Sequence, residues 1–201
     1  MIVKDGIFYG VGLSAAGGIA ASLGNIGWGM PFWLIGAFCV YFFRDPEREI
    51  PDGAVAVSPA DGKVVHVRRW DDGQQRISIF LNIFNVHVNR IPVTGKVIGR
   101  VYQEGKYMMA HREDASTENE QNSLTIESGT NVVVVRQIAG LIARRIVCTK
   151  DLGDEVQKGE RFGLIKFGSR TDLILGPEWD LVVKPGDKVK GGSSILARLR
   201  Q

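Results

Sequence analysis

The chain has 201 residues, of which 44% are hydrophobic and 23% are charged, and its formal net charge is +3. This length supports one good hydrophobic core and excludes a second large domain. The mild charge, with basic and acidic residues interleaved, does not indicate a nucleic-acid partner but is compatible with an anionic membrane surface. Cys39 and Cys148 do not suggest a disulfide framework, and we expect no metal cluster.

The first feature along the chain is a run without charged side chains, residues 6–43. A single membrane span needs about 20 apolar residues, so this run is too long for one simple helix. The turn formers between Gly24 and Pro31 divide it into residues 6–23 and approximately 31–43. We therefore predict a helical hairpin, and the pattern leaves open whether the hairpin spans the membrane or lies in its interface.

Basic residues flank both ends of this run. Lys4 precedes it, and Arg44 and Arg48 follow it. The positive-inside rule then favours a hairpin with both ends on the cytoplasmic face. We predict a membrane anchor in residues 1–45, in the cell (inner) membrane, and a folded domain on its cytoplasmic side in residues 46–201.

Short β-branched segments alternate with glycine-containing turns from residue 54 onward, which predicts a mainly β domain. Exposed edges of such sheets also make a homodimer an expectation. The predicted strands are residues 54–57, 62–67, 76–80, 96–101, 123–128, 131–137 and 144–149.

Two Gly-Asp segments, residues 152–160 and 184–192, resemble each other. In each we expect Gly-Asp to form a turn, one valine to be buried and a second glycine to return the chain to the sheet. The pattern resembles the half-repeats of biotinyl and lipoyl carrier domains, which implies a barrel-sandwich of two hammerhead-like halves. A membrane-anchored carrier or docking domain, modified at a lysine such as Lys158 or Lys188, is therefore the alternative function.

The Gly168–Ser169 pair is the candidate reactive bond. Glycine lets the backbone bend sharply and leaves its carbonyl unshielded, so the Ser169 hydroxyl can attack the Gly168 carbonyl. We expect a strand to end at this pair. The alternative for the dipeptide taken alone is an ordinary turn.

Four strings occur in a characteristic order along almost the whole chain. They are FFRDPER at 42–48, SPADGKV at 58–64, FNVHVNRIP at 84–92 and FGSRTD at 167–172. Their order is similar to that of phosphatidylserine decarboxylases of the short bacterial and archaeal branch. The resemblance implies a proenzyme of phospholipid biosynthesis that cuts itself into residues 1–168 and 169–201. The mature enzyme would convert phosphatidylserine in the bilayer to phosphatidylethanolamine and carbon dioxide.

The resemblance also implies roles for individual residues. Ser169 would become an N-terminal pyruvoyl group, the covalent cofactor, whose carbonyl acts as an electron sink in place of pyridoxal phosphate. His87 matches the histidine of the family motif and suits the proton removals of self-cleavage. We assign Asp61 to the other ring nitrogen of His87, which gives an Asp61–His87–Ser169 set.

Three further residues are candidates for the site. His111 precedes a polar segment and would line the substrate pocket or supply a proton after carbon dioxide leaves. Larger family members have a second histidine three positions after the first, and Arg90 stands at that position here. This difference favours His111 in the second role, or Arg90 as the residue that holds the substrate phosphate. Arg170 would bind the lipid phosphate or carboxylate, or pair with Asp172.

Overall fold

The computed structural model of the chain describes residues 3–106, 108–109, 115–140, 145–166 and 168–200. The chain divides into two compact units, Met1–Glu47 and Arg48–Gln201. The first unit is helical and the second is mainly β.

The N-terminal unit is an antiparallel pair of apolar helices, α1 (Lys4–Leu23) and α2 (Ile26–Phe42). α1 has a mean hydropathy of 1.4 over an 18-residue window and is long and apolar enough to cross a membrane. Large apolar side chains point away from the pair, and Phe8 is 78% exposed. The unit is therefore consistent with membrane association.

Glycines set the close packing of this helix pair. A Cβ at Gly10 would lie 2.7 Å from the Val40 side chain, and a Cβ at Gly29 would lie 2.6 Å from the Gly17 carbonyl oxygen. Such small residues allow helix backbones to approach closely.

The second helix begins earlier than the sequence predicted. Asn25 caps it by accepting a hydrogen bond from the Gly27 N–H at 2.9 Å, and Pro31 lies inside the helix. The break between the helices is confined to Gly24 and Asn25 because this cap allows the glycine-rich residues that follow to form the first turns.

The second unit contains one short helix, α3 (Ala115–Glu118), and fourteen described strands. The strands are β1 (Val55–Val57), β2 (Gly62–Arg69), β3 (Gln75–Leu81), β4 (Val88–Arg90), β5 (Gly95–Gln103), β6 (Gln121–Ser128), β7 (Asn131–Ile138), β8 (Ile146–Cys148), β9 (Glu155–Val156), β10 (Arg161–Ile165), β11 (Ser169–Leu175), β12 (Trp179–Leu181), β13 (Lys188–Val189) and β14 (Ile195–Leu199).

The mainly β prediction is confirmed, and each of the seven predicted strands is present. Residue 144, at the start of the last predicted strand, lies outside the described residues. The sequence analysis gave no bounds for β4 or for the strands from β9 to β14, although it expected an apolar strand after each Gly-Asp segment, where β10 and β14 lie. Most of these are only two to five residues long, too short for a clear alternation of apolar and polar residues.

The strands form one eight-stranded sheet and two three-stranded sheets. The large sheet has the order β13-β2-β3-β11-β7-β6-β5-β9, and the small ones are β1-β14-β12 and β4-β10-β8. The apolar face of the large sheet packs into a core that includes Ile77, Val135 and Leu173, all fully buried. β11 lies at the centre of the large sheet, hydrogen-bonded to β3 and β7.

The two Gly-Asp segments form equivalent turns at the two edges of the large sheet, before β9 and β13. The Gly153 N–H donates to the Val97 carbonyl and the Gly186 N–H donates to the Val64 carbonyl, both at 2.8 Å. Both glycines have left-handed backbones, with φ of +93° and +102°. Only glycine adopts this conformation readily.

The valines and second glycines of these segments also match. Val156 and Val189 are both buried. Gly159 and Gly192 follow with φ of +82° and +80°. The local predictions for the segments are thus confirmed, whereas the barrel-sandwich of two carrier-like halves stays a prediction.

Candidate functional site

The Gly168–Ser169 bond lies at the start of a central strand. Gly168 has φ of +62°, and Ser169 is the first residue of β11, opposite Leu81 of β3. The expectation that a strand ends at this bond is wrong, because β10 already ends at Ile165 and Ser169 begins the next strand, β11. The backbone therefore bends sharply at Gly168, on the amino side of Ser169.

The Ser169 side chain is buried and unsatisfied. Its residue is 0% exposed, and Oγ makes no hydrogen bond with any part of the chain that the structure describes. Leaving a buried hydroxyl without a partner costs about 1–3 kcal/mol. Such groups are rare in folded proteins and often mark functional sites.

His87 lies beside the end of β10, the strand that precedes Ser169 in the chain. The His87 carbonyl accepts a hydrogen bond from the Ile165 N–H at 3.4 Å. β3 carries the register partner of Ser169, Leu81, and the same chain segment continues into His87. Pairing of the backbone thus brings the two predicted residues to the same end of the sheets, and His87 is only 2% exposed.

The backbone carbonyl of Asn85 selects the tautomer of His87. Nδ1 of His87 lies 3.0 Å from this oxygen. Because a carbonyl only accepts hydrogen bonds, Nδ1 must carry the proton, and Nε2 of the neutral ring is then the basic nitrogen. The ring is therefore held in a form that can remove a proton through Nε2.

Asp61 lies in a different hydrogen-bond network. Its carboxylate receives hydrogen bonds from Nη2 of Arg48 at 3.0 and 2.9 Å and from the Gly191 N–H at 2.8 Å. Within the described part of the chain it has no hydrogen bond to His87. Asp61 thus links Arg48, which precedes β1, to Gly191, which follows β13.

Arg170 forms a fully buried ion pair with Asp172. Nε and Nη2 of Arg170 lie 2.7 and 3.2 Å from the two carboxylate oxygens, and both residues are 0% exposed. Ser116 Oγ donates to the same carboxylate at 2.8 Å, and Nη2 of Arg170 also donates to Ser78 Oγ at 2.6 Å. The alternative in which Arg170 pairs with Asp172 is therefore the arrangement observed.

Arg90 is also directed into the protein. It is 6% exposed, and its Nη1 donates to the Gly159 carbonyl at 3.0 Å, in the turn at the end of the first Gly-Asp segment. A Cβ at Gly192, in the equivalent turn of the second segment, would lie 2.8 Å from Cδ of Arg90. Arg90 thus contacts both repeats.

His111 lies outside the described residues. Among the described residues, Asn119 Nδ2 donates to the Met108 and Ala139 carbonyls, both at 2.8 Å, and the Met108 N–H donates to Asn119 Oδ1 at 3.0 Å. Asn119 therefore ties Met108 to the end of β7.

The sequence analysis missed a chain of buried polar residues beside Ser169. Asn122 donates to Gln137 at 3.1 Å, and Gln137 donates to Asn89 at 2.9 Å. Thr171 lies opposite Gln137 and shares the face of β11 with Ser169, since the two are separated by one residue. The available signal was the alternation along the strands, because Gln137 continues the buried series of Val133 and Val135 in β7.

Among the described residues, no group of three or more histidine, cysteine or acidic side chains could hold a metal ion. The candidate site contains a buried serine that follows a left-handed glycine. It also contains a buried histidine whose Nδ1 is bound to a backbone carbonyl, and a neighbouring row of amides. Such an arrangement suits acyl transfer from a backbone carbonyl to a hydroxyl, assisted by a base.

The comparisons with known proteins give one family. Residues 35–197 match the family model described as phosphatidylserine decarboxylase. A phosphatidylserine decarboxylase proenzyme from Solibacter usitatus is 55% identical over 98% of this chain and 96% of its own length. Proenzymes of the same name from Geotalea uraniireducens and Neisseria meningitidis are 44% and 46% identical, over 93% and 86% of this chain and 92% and 68% of their own lengths. The chain belongs to the phosphatidylserine decarboxylase family.

Proposed function

We propose that the protein decarboxylates phosphatidylserine to phosphatidylethanolamine and carbon dioxide, with a prosthetic group that it makes from Ser169. The single observation that carries this proposal is the buried Ser169 hydroxyl, which has no hydrogen-bond partner in the described structure and directly follows a left-handed glycine. Family membership supports the reaction, and the local geometry supports the bond at which the proenzyme is processed.

Processing begins with attack of Ser169 Oγ on the carbonyl carbon of Gly168. The peptide C–N bond breaks, the serine nitrogen takes up a proton and an ester forms between the two residues. Removal of the Ser169 α-proton then expels the Gly168 carboxylate by β-elimination and leaves dehydroalanine. Its imine tautomer takes up water and releases ammonia, which leaves a pyruvoyl group at the start of β11.

His87 is the base for both proton removals. The Asn85 carbonyl keeps the proton on Nδ1, so Nε2 can accept the proton from the Ser169 hydroxyl and later the α-proton. A carbonyl also stabilises the imidazolium, although less than a carboxylate does. The burial of His87 excludes water that would compete for the base.

The strand environment fits a pyruvoyl group at residue 169. Such a group supplies an electron sink for the carboxyl electrons of a bound amino acid. Leu81 of β3 pairs with residue 169, the first residue of β11. The ion pair between Arg170 and Asp172 fixes these two side chains farther along the strand. Thr171 Oγ1 and Asn89 Nδ2 are buried without hydrogen-bond partners in the described residues, so both can orient polar groups in the site.

The remaining candidates have supporting roles in this proposal. Asp61 acts on the site by holding Arg48 and Gly191 in place, and Arg90 does so by bracing the turns at Gly159 and Gly192. Arg170 would reach a substrate only by leaving Asp172, so we assign it to positioning. His111 keeps its two candidate roles, lining the substrate pocket or supplying a proton after carbon dioxide leaves.

The proposed setting is the cytoplasmic face of the cell membrane. The apolar α1 supports attachment, and a tethered enzyme meets a lipid headgroup without extracting the lipid. The two chains produced by cleavage would remain together because β11 lies between β3 and β7. The edge strands of the large sheet, β9 and β13, offer surfaces for a homodimer.

The carrier alternative is not favoured. The matching family and relatives are decarboxylases. Lys158 Nζ is already engaged with the Gly53 carbonyl at 2.8 Å. Biotin or lipoate on Lys158 or Lys188 would reverse this conclusion.

Intact-mass measurement of freshly purified protein tests the proposal. We expect two chains, residues 1–168 and 169–201, the second with a ketone-reactive N-terminus, and carbon dioxide release from phosphatidylserine vesicles. The Ser169→Ala variant should remain a single, inactive chain.

The chain offers a matched control in its second Gly-Ser pair, Gly192–Ser193, whose glycine is also left-handed, with φ of +80°. Ser193 is partly exposed, so the Ser193→Ala variant should be cleaved and active. Cleavage of the Ser169→Ala variant at the original bond would contradict the assignment.

A further inference from the structure

An exposed apolar turn leads directly into His87. Between β3 and His87 the chain presents Ile83 and Phe84, which are 37% and 61% exposed. Large apolar side chains scattered singly on a surface are common and need no explanation. Here two are adjacent, at the tip of a turn that ends at the candidate site.

Asparagines on both sides hold this turn in shape. Asn82 Oδ1 accepts from the Phe84 N–H, and Asn85 Oδ1 accepts from the Asn82 N–H, both at 2.9 Å. The Asn85 N–H donates to the Asn82 carbonyl at 3.0 Å. The turn therefore keeps its apolar tip outward with little conformational freedom, which lowers the entropy cost of binding.

The turn and the site are linked through Asn85, whose carbonyl accepts a hydrogen bond from Nδ1 of His87. The segment that pairs with His87 continues into basic residues. The Ile165 N–H donates to the His87 carbonyl, and the next residue, Lys166, donates from its N–H to the carbonyl of Arg145, an exposed residue. Apolar tips beside basic residues suit the boundary between anionic headgroups and acyl chains.

We propose that the Ile83–Phe84 turn inserts into the surface of an anionic phospholipid bilayer and so brings the site to its lipid. This inference rests on the proposed function for the identity of that lipid. It assigns the turn a contact with the bilayer separate from that of the N-terminal helices.

Depth-dependent quenching tests the contact. The full chain, with Cys39 and Cys148 replaced by alanine, is labelled with an environment-sensitive fluorophore at a Phe84→Cys substitution and reconstituted in phosphatidylglycerol/phosphatidylcholine vesicles. We expect brominated acyl chains to quench this label. The matched control is Leu152→Cys, because Leu152 is also apolar, 66% exposed and in a tight turn. Equal quenching at the two positions would overturn the proposal.

Rates on two substrates give a second readout. For each variant, carbon dioxide release from long-chain phosphatidylserine in vesicles is divided by release from monomeric short-chain phosphatidylserine in detergent. We expect Phe84→Ser to lower this ratio roughly tenfold, as implied by the loss of an aromatic side chain that is partly buried in the bilayer. The Phe84→Leu variant should keep much of the parent ratio. An unchanged ratio in the serine variant would refute insertion.

The outcomes separate this inference from the proposed function. If the parent protein releases no carbon dioxide from either substrate, the proposed function fails, and the quenching pattern still decides whether the turn contacts lipid. A serine variant that does not cleave itself is replaced by Ile83→Ser, which is assessed with the same ratio.

Discussion

Replacing Asp172 by asparagine should destabilise the β unit strongly. The Asp172 carboxylate accepts two hydrogen bonds from Arg170, at 2.7 and 3.2 Å, and one from Ser116, and it lies 3.8 Å from Nε of Arg76. Asp172 and Arg170 are fully buried. The asparagine variant keeps the size of the side chain but removes the negative charge that balances the Arg170 guanidinium.

The expected magnitude follows from this burial. Removing one partner of a buried ion pair costs about 3–5 kcal/mol, since the remaining charge stays desolvated. A unit of about 150 residues loses about 2–4 °C of Tm per kcal/mol. The Asp172→Asn variant should therefore melt roughly 6–20 °C below its parent.

The assay is thermal unfolding of the full chain in detergent, followed by near-ultraviolet circular dichroism. The parent is the Ser169→Ala variant, so that cleavage does not change the number of chains. The control is Asp180→Asn in β12 of a small sheet, because Asp180 pairs with Arg200 at 2.7 Å but both side chains are more than half exposed. This control should leave Tm nearly unchanged. An equally small effect of Asp172→Asn would refute the assigned importance of the buried pair.

Three further predictions concern the base, the repeats and pH. His87→Gln should slow self-cleavage by about 10²–10⁴-fold, measured as the fraction of cleaved chain over time, and normal cleavage would exclude His87 as the base. Val156→Ala and Val189→Ala should each lower the free energy of unfolding by about 1.5–2.5 kcal/mol in urea titrations, and a large difference between them would contradict the equivalence of the repeats. Although partial desolvation raises the pKa of Glu160, hydrogen bonds from the Lys150 ammonium and a backbone N–H hold it below its ordinary value. The ionised Glu160 carboxylate thus stabilises the folded protein at pH values above its pKa in the unfolded state. This stabilisation is lost as the pH falls through its lower pKa in the folded state. Glu160→Gln should therefore reduce the acid sensitivity of unfolding, and an identical pH profile would contradict this.

The sequence predicted the elements whose pattern is local. Alternating β-branched residues gave the seven predicted strands, and the Gly-Asp spacing gave the two edge turns. The start of α2 was misplaced because Pro31 is a turn former in isolation, whereas a helix already begun at Ile26 includes it. Local patterns specify turns and strands because backbone conformation depends mainly on neighbouring residues.

The sequence predicted candidate residues for the site but not the hydrogen bonds that these residues make. The motifs predicted Ser169 and His87, both of which are buried, and the His87 carbonyl accepts a hydrogen bond from the Ile165 N–H, four residues before Ser169. The partner of the His87 ring is a backbone carbonyl, which no side-chain pattern reveals. Asp61 was assigned to that ring by its residue type, yet its hydrogen bonds reach Arg48 and Gly191, the latter 130 residues away along the chain.

The Gly168–Ser169 bond shows what the sequence and the tertiary structure each contribute. The sequence by itself determined the dipeptide, the order of the motifs and hence the family, because these depend only on residue identity and spacing. Only the tertiary structure decided that Ser169 starts a central strand, that its hydroxyl is buried without a hydrogen bond in the described residues, and that Arg170 faces Asp172. Burial and pairing arise when distant strands meet, so the environment of this serine is set by contacts that the linear chain does not contain.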